Sequence, residues 1–217
     1  MINKRIQAIA ELIRNDSSVI DIGCDHGYLA LQLRKQGNNN LIICCDEKKG
    51  PLENAKRNLQ SFDNILFYCT DGVKDIYQQT DVAVIAGMGH NTVEHILQQS
   101  DNYFRNCKQI IIQVNQTVSS MRRFLMENNY RIVNEKIIED YKFYEILCVE
   151  NGRQELNAEQ IEFGPILMKE KTETFRRYYQ QKADYIRDIL KDIGDNHPDR
   201  DILEKKLKMI SKILFAK

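Results

Sequence analysis

Short apolar runs alternate with amphipathic stretches over the first two thirds of the chain. The runs end in polar or glycine-containing turns and are apolar nearly throughout, which is typical of strands covered on both faces. They predict strands at Val19–Cys24, Leu41–Asp46, Ile65–Thr70, Asp81–Ala86 and Gln109–Val114. Apolar residues with helical spacing predict helices at Arg5–Arg14, Tyr28–Gln36, Leu52–Leu59, Thr92–Gln99 and Val118–Asn128. This alternation predicts an α/β domain with a mostly parallel sheet.

The pattern changes near residue 130. Two adjacent strand-like segments, Tyr130–Ile138 and Phe143–Glu150, predict an antiparallel pair at the end of the sheet. Beyond Gly164-Pro165, apolar residues recur every three or four positions from Phe175 to Ile193 and again from Leu203 to Leu214. Two such helices joined by a short loop form an antiparallel hairpin. We therefore predict a first domain at 1–150 and a C-terminal helical domain at 151–217.

The first predicted strand ends in Asp21-Ile22-Gly23-Cys24-Asp25-His26-Gly27, which is Asp-x-Gly-x-x-x-Gly. Glycine at 23 and 27 permits positive φ and lets a ligand lie against bare backbone. A dinucleotide fingerprint needs a second glycine at position 25, where Asp25 would instead repel a pyrophosphate. The acidic turn favours a ligand that carries an ammonium or sulfonium cation, and S-adenosylmethionine carries both.

Three further strand ends carry groups suited to the rest of such a ligand. Asp46 ends the second strand at the place where nucleoside-binding folds position a carboxylate for the ribose. The turn Thr70-Asp71-Gly72 is suited to the adenine, and Gly87 and Gly89 follow the fourth strand. Because parallel strands end at one edge of a sheet, we expect these groups to converge there.

Composition excludes several classes of protein and leaves others open. The 31 Lys+Arg balance 31 Asp+Glu, so bulk charge does not indicate a protein that coats RNA. Because the sequence has no apolar run of about 18 residues and no signal-peptide core, we expect a cytoplasmic protein without membrane segments. The six cysteines lack metal-ligand spacing and are predicted to be reduced and buried; no metal site is predicted.

These motifs together resemble the bacterial TrmK family of tRNA (adenine-N1)-methyltransferases. The specific strings are D-I-G-C-D-H-G-Y-L from Asp21 and I-A-G-M-G from Ile85. Weaker matches support them, among them K-G-P from Lys49, Q-V-N from Gln113, Arg122-Arg123 and Phe163-Gly164-Pro165. The resemblance implies a Rossmann-like class I methyltransferase sheet, an S-adenosyl-L-methionine cofactor and a coiled-coil-like C-terminal domain. The implied reaction is methylation of N1 of adenosine 22 in tRNA.

The resemblance also implies where the ligands bind. The implied cofactor site comprises Gly23, Asp25, His26, Asp46, Asp71 and the Ala86-Gly87-Met88 turn, to which we add their neighbours Arg5, Asp21, Cys24, Glu47 and Gly72. Residues predicted to contact the substrate are Tyr28, Gly89, His90, Arg122, Arg123, Arg176 and Arg177. Tyr28 or Tyr144 is suited to stack on the target base, although either also fits an apolar core.

The acceptor chemistry explains why no conspicuous general base occurs. Adenine N1 already has an in-plane lone pair, so methyl transfer needs positioning more than proton removal. The product base is cationic, and Asp25, His26 and Asn115 are the candidate catalytic residues near the developing charge. Because N1 lies on the pairing edge, the base must leave its stack to react.

Two departures from the family pattern concern the acceptor side. His90 follows the second glycine where the family often has another glycine, and Val114 replaces a proline before Asn115. The sequence leaves the oligomeric state open. It also leaves open a methyltransferase acting on another RNA or a small molecule, and a noncatalytic module whose hairpin recruits a partner.

Overall fold

The structure is a computed structural model that describes residues 4–215; residues 1–3 and 216–217 of the two predicted domains lie outside the described residues. The strands in the described part are β1 (Val19–Ile22), β2 (Ile42–Asp46), β3 (Ile65–Cys69), β4 (Val82–Met88), β5 (Gln109–Val114), β6 (Tyr130–Glu139) and β7 (Phe143–Asn151). They form one sheet in the order β3-β2-β1-β4-β5-β7-β6. The predicted α/β class is confirmed.

The first five strands run parallel, and the last two continue the sheet in antiparallel fashion. β1 pairs with both β2 and β4, and β4 pairs with β5. β7 is antiparallel to β5 and to β6. The turn between β6 and β7 therefore lies at the edge where the parallel strands end, which we call the carboxyl edge. The chain reverses its order across the sheet between β1 and β4, and ligands of open parallel sheets bind at such a switch point.

Helices cover both faces of the sheet. Their bounds are α1 (Lys4–Leu12), α2 (Tyr28–Lys35), α3 (Lys49–Leu59), α4 (His90–Gln99), α5 (Asp101–Arg105), α6 (Val118–Glu127), α7 (Ala158–Phe163), α8 (Leu167–Glu170), α9 (Glu173–Asp192) and α10 (Arg200–Phe215). Helices α1 to α3 pack on one face, with Ile9, Leu33 and Leu59 buried there. Helices α4 to α7 pack on the other, with Phe104 and Met121 buried. Burial on both faces explains why β1, β2 and β5 are apolar nearly throughout.

The C-terminal helices α9 and α10 form the predicted antiparallel hairpin. Near one end, Arg176 Nη1 donates to the Leu214 carbonyl at 3.2 Å; near the other, Arg200 Nη1 donates to the Leu190 carbonyl at 3.3 Å. Their apolar stripes share a third core with Ile137 of β6. Full burial of each large apolar side chain contributes roughly 1.5–3 kcal/mol, so β6 supplies part of the hairpin's stability.

Several element bounds differ from the prediction. Helices α3 and α4 begin earlier, at Lys49 and His90, and β4 continues through a bulge at Gly87 to Met88. Helices α5, α7 and α8 were not predicted because each has six residues or fewer, too short for a helical stripe to repeat. An Asn157–Gln160 capping box stabilises the start of α7.

The described residues contain no helix of the length and apolarity that a membrane crossing requires. Within residues 4–215, no group of three or more His, Cys, Asp or Glu side chains is placed to hold a metal ion. All six cysteines are free thiols; five are buried as predicted, whereas Cys69 is exposed. Cys44 and Cys45 belong to opposite faces of the sheet and so share no ligand.

Candidate cofactor and acceptor site

A cavity of about 390 Å³ opens at the carboxyl edge, at the switch point between β1 and β4. Four strand ends converge on it, as the sequence predicts. Ten predicted residues line it: Gly23, Asp25, Asp46, Glu47, Asp71, Gly72, Ala86, Gly87, Met88 and Gly89. Lining residues that sequence reasoning missed are Ile22, Lys48, Pro51, Thr92 and Ile96, several of which lie in or next to the first turn of α3 or α4.

The turn after β1 presents backbone to this cavity. Gly23 and Gly27 have φ angles of 75° and 70°, and Asp25 also adopts positive φ at 48°. A Cβ atom at Gly23 would overlap the terminal methyl of Met88, and one at Gly27 would lie 2.8 Å from Leu59 Cδ1. Positive φ favours glycine at both positions, and close contacts with Leu59 and Ala55 also exclude a side chain at Gly27. Gly23 leaves bare backbone at the floor of the cavity, as a close-lying ligand requires.

Asp46 is fixed at the end of β2 by two backbone amides. The Asp25 amide donates to Oδ2 at 3.2 Å, and the Lys48 amide donates to Oδ1 at 2.9 Å. Each carboxylate oxygen keeps a further lone pair, so Asp46 remains able to accept from ligand hydroxyl groups. Together with Asp25, Glu47 and Asp71, it gives this rim of the cavity an acidic character. These carboxylate acceptors fit the ribose hydroxyl groups and the positive charges of S-adenosylmethionine.

Asp21 and Arg5 lie behind the cavity wall rather than on it. Burial, together with the charge of Asp46, raises the pKa of Asp21 to about 7 although Arg5 opposes the shift. Arg5 Nη1 donates to Gln113 Oε1 at 2.9 Å, and its guanidinium lies beside Gly87. Its charge is 5.4 Å from the Tyr144 ring centre. Arg5 lies against the Gly87 turn, and Asp21 lies just before the Gly23 turn. The predicted contact of both residues with the cofactor stays a prediction.

Asn115 connects the ends of β4 and β5. Its Nδ2 donates to the Gly87 carbonyl at 2.7 Å, and its backbone amide donates to the Met88 carbonyl at 2.9 Å. His90 and Thr117 make a second connection, with 2.6 Å between Nδ1 and Oγ1. The structure thus uses His90 to hold the start of α4 against the turn before α6.

Cys24, His26 and Tyr28 do not line the cavity. Cys24 is buried, and a hydrogen bond with Cys44 raises the pKa of its thiol far above the usual range. The side chain of His26 is partly exposed, with Nε2 3.5 Å from Asp25 Oδ1. Tyr28 is 45% exposed and its ring lies against His26, whereas Tyr144 is buried. Of the two tyrosines considered for the core, only Tyr144 belongs to it.

The prediction that Arg122 contacts the substrate is wrong. Its side chain is fully buried, with Nε 2.8 Å from Glu135 Oε1 and Nη2 2.6 Å from Glu145 Oε2. Although burial lowers the pKa of Arg122, Glu145 and Glu135 raise it overall. An arginine with both partners inside the protein is not available to a phosphate. Sequence reasoning could not detect this because Arg122 and Arg123 are adjacent, and only their positions around α6 separate the buried residue from the exposed one.

The other predicted basic residues are exposed. Arg123 makes no ion pair within residues 4–215. Arg177 pairs with Glu139 at the end of β6, beside the carboxyl edge. Arg176 points across the hairpin to Leu214. All three remain accessible to RNA.

Comparison with known proteins decides the family. A profile of TrmK, described as tRNA (adenine(22)-N(1))-methyltransferase, matches residues 19–214. The chain belongs to this family. The tRNA (adenine(22)-N(1))-methyltransferase of Bacillus subtilis strain 168 is 29% identical over 221 residues, covering 97% of this chain and 92% of the relative.

Two solved structures share the fold over nearly the whole chain. A Streptococcus pneumoniae protein in complex with S-adenosyl-L-methionine has a TM-score of 0.89 and 30% identity, and the match covers 99% of this chain and 100% of that one. TrmK of M. capricolum, in complex with the cofactor product S-adenosyl-homocysteine, has a TM-score of 0.86 and 25% identity, covering 99% and 98%. The C-terminal hairpin is thus included in the similarity between these TrmK-family structures.

Proposed function

We propose that this chain transfers the methyl group of S-adenosyl-L-methionine to N1 of adenosine 22 in tRNA, at the carboxyl edge of its sheet. The observation that carries the proposal is the TrmK profile matching residues 19–214, which include the acidic switch-point cavity. A tRNA substrate favours a cytoplasmic location. The bare backbone at Gly23 and the fixed carboxylate of Asp46 support the choice of cofactor.

Each part of the cofactor has a matching group in the cavity. Asp46 accepts from the ribose hydroxyls, and the Asp71-Gly72 turn holds the adenine. The carboxylate of Asp25 in the cavity wall favours binding of the ammonium and sulfonium charges of the cofactor. The carboxyl group of Asp21, behind the wall, adds to this effect. Gly23 lets the ligand lie against the floor. The bound cofactor supplies an electrophilic methyl group on a sulfonium.

The protein contributes to the reaction by positioning the adenine and by stabilising the positive charge that develops on it. Since adenine N1 already has its lone pair, no side chain has to remove a proton before attack. Positive charge develops on the base, and the Gly87 carbonyl and Asn115 are fixed near it by their mutual hydrogen bond. Asp25 adds negative charge, and His26 beside it is a further candidate. We place exposed Tyr28 against RNA outside the cavity.

A transfer assay with two transcripts tests the function. Unmodified tRNA with adenosine at position 22 is expected to take up labelled methyl, because only adenine offers a free lone pair at N1. The matched transcript with guanosine at 22 carries a proton on N1 and is expected to take up none. Mapping the modified base checks the position. Absence of transfer to the first transcript, or equal transfer to both, contradicts the proposal.

A further inference from the structure

A second cavity, of about 330 Å³, lies between the sheet and the helical hairpin. We call it the hairpin cavity. Its inner wall is the turn at 115–117 and the start of α6 at Val118 and Ser119, together with Tyr144 near the start of β7. Its outer wall includes Tyr178 and Lys182 of α9.

The two cavities are neighbours. Asn115 lines the hairpin cavity and donates to the carbonyl of Gly87, which lines the cofactor cavity. Arg5 contacts both sides, since its guanidinium lies beside Gly87 and over the Tyr144 ring. A group in the hairpin cavity that reaches past Asn115 therefore meets the cofactor site at the end of β4.

The walls of the hairpin cavity combine aromatic rings with an available donor. The rings of Phe143 and Tyr178 lie with their centres 5.2 Å apart, and both line the space. Lys182 Nζ lies 4.1 Å from the Tyr178 ring centre and 3.8 Å from Glu145 Oε1, too far for a hydrogen bond. Among the described residues its ammonium makes no hydrogen bond, and burial lowers the pKa of Lys182. Its donors are available to an acceptor on a ligand.

The carboxylates beside the cavity already have partners, which argues against a phosphate as the ligand and for a neutral one. Glu145 accepts from Arg122 at 2.6 Å and from the Tyr178 hydroxyl at 2.8 Å. Lys206 on α10 pairs with Glu162 at 2.9 Å. A phosphate would have to displace these carboxylates, whereas a flat heterocycle fits between rings and uses single donors and acceptors.

We propose that the hairpin cavity receives the target adenine after it leaves the tRNA stack, and that α9 forms the outer wall of the acceptor site. The inference rests on the proposed function and adds the hairpin to the active site. Aromatic faces hold the ring, Lys182 donates to a ring nitrogen other than N1, and N1 points past Asn115 toward the cofactor cavity. There N1 would attack the methyl carbon in line with the methyl–sulfur bond, which breaks as the new bond to nitrogen forms.

A pair of adjacent serines provides the test. Ser119 lines the hairpin cavity, whereas Ser120, the next residue of α6, does not line either cavity. Ser119→Phe is expected to fill the space and lower kcat for methylation about 100-fold, as expected for misplaced reactants. Cofactor affinity by calorimetry should stay within about twofold, because the cofactor cavity is untouched. Ser120→Phe adds the same ring outside the space and should keep wild-type kcat.

Two further measurements distinguish loss of adenine binding from misfolding of the Ser119→Phe variant. Lys182→Met keeps the aliphatic stem and is expected to lower kcat/KM for tRNA about tenfold by loss of one hydrogen bond. A tRNA with 2-aminopurine at position 22 should change its fluorescence on binding wild type and Ser120→Phe, but not Ser119→Phe. Wild-type kcat and fluorescence change in Ser119→Phe would overturn the cavity proposal while leaving the function standing. Failure of wild type to methylate tRNA would instead reject the function.

Discussion

The carboxyl group of Asp21 is buried beneath the Gly23 turn, close to the carboxylates of Asp25 and Asp46. Burial and the charge of Asp46 raise its pKa from 3.8 to about 7. In the unfolded chain the same group loses its proton near its ordinary pKa. Between these two values the folded state holds more protons, so rising pH removes stability through Asp21 across that range. A bound cation offsets this repulsion, which links protonation to cofactor binding.

Asp21→Asn should therefore separate stability from binding. We expect the variant to gain stability relative to wild type at pH 8 and to gain less at pH 5, where the wild-type carboxyl is already protonated. Urea unfolding at the two pH values measures this. In the wild type, cofactor affinity should decrease as the pH is lowered through 7, because Asp21 becomes protonated. In the variant, affinity should no longer depend on pH in this range. Exposed Asp63→Asn is the control; a wild-type pH profile in Asp21→Asn would contradict the assignment.

At the scale of elements, the α9–α10 hairpin is joined to the sheet by a buried charge network. Arg122 of α6 bridges Glu135 of β6 and Glu145 of β7, and Glu145 also accepts from Tyr178 of α9. Glu135 Oε2 accepts from the Ile166 amide at 2.8 Å, just before α8. A single arginine thus organises contacts among the sheet, α8 and the hairpin. Whether the hairpin is a separate domain stays a prediction.

Replacing Arg122 tests this network. Arg122→Met leaves two buried carboxylates without their cation and is expected to cost roughly 3–5 kcal/mol of unfolding free energy. The adjacent Arg123→Met changes an exposed side chain and should stay within about 0.5 kcal/mol of wild type. Chemical denaturation of both variants measures the difference. Equal losses would show that burial of Arg122 is unimportant to the fold.

At the scale of the whole molecule, zero net charge limits how RNA is held. Carboxylates equal the cations in number, and Arg177 and Lys212 already pair with carboxylates, whereas Arg123 has no ion pair within residues 4–215. Binding by charge alone would give a steep salt dependence. We expect a modest one, with recognition carried by tRNA shape and the accessible adenine.

The salt dependence of tRNA binding tests this expectation. Arg123→Gln should weaken tRNA binding and reduce the slope of log affinity against log salt by about 1, as for loss of one phosphate contact. Cofactor affinity should not change. Lys35→Gln removes an exposed charge near the end of α2, at the opposite edge of the sheet, and should leave the slope unchanged. Equal slopes in Arg123→Gln and wild type would remove Arg123 from the RNA interface.

The sequence by itself determined the sheet and its ligand edge. Apolar runs fixed the strands, because burial on both faces leaves little choice of residue, and parallel connection brought Gly23, Asp46 and Asp71 to one edge. These inferences depend on local periodicity and on turns whose glycines are required by φ. The resemblance to the TrmK family rests mainly on two short strings at the same edge, and the profile match over residues 19–214 then decides membership.

Only the tertiary structure decided which polar residues face outward and what the hairpin contacts. Arg122 and Arg123 are equivalent in sequence, but the rotation of α6 buries one between two carboxylates and exposes the other. From the sequence, Tyr178 and Lys182 are recognisable only as residues on or beside the apolar stripe of a helix. Their place opposite Asn115 arises from contacts over more than 60 residues of chain. Long-range packing of that kind leaves no periodic signal, because it depends on how separate elements meet.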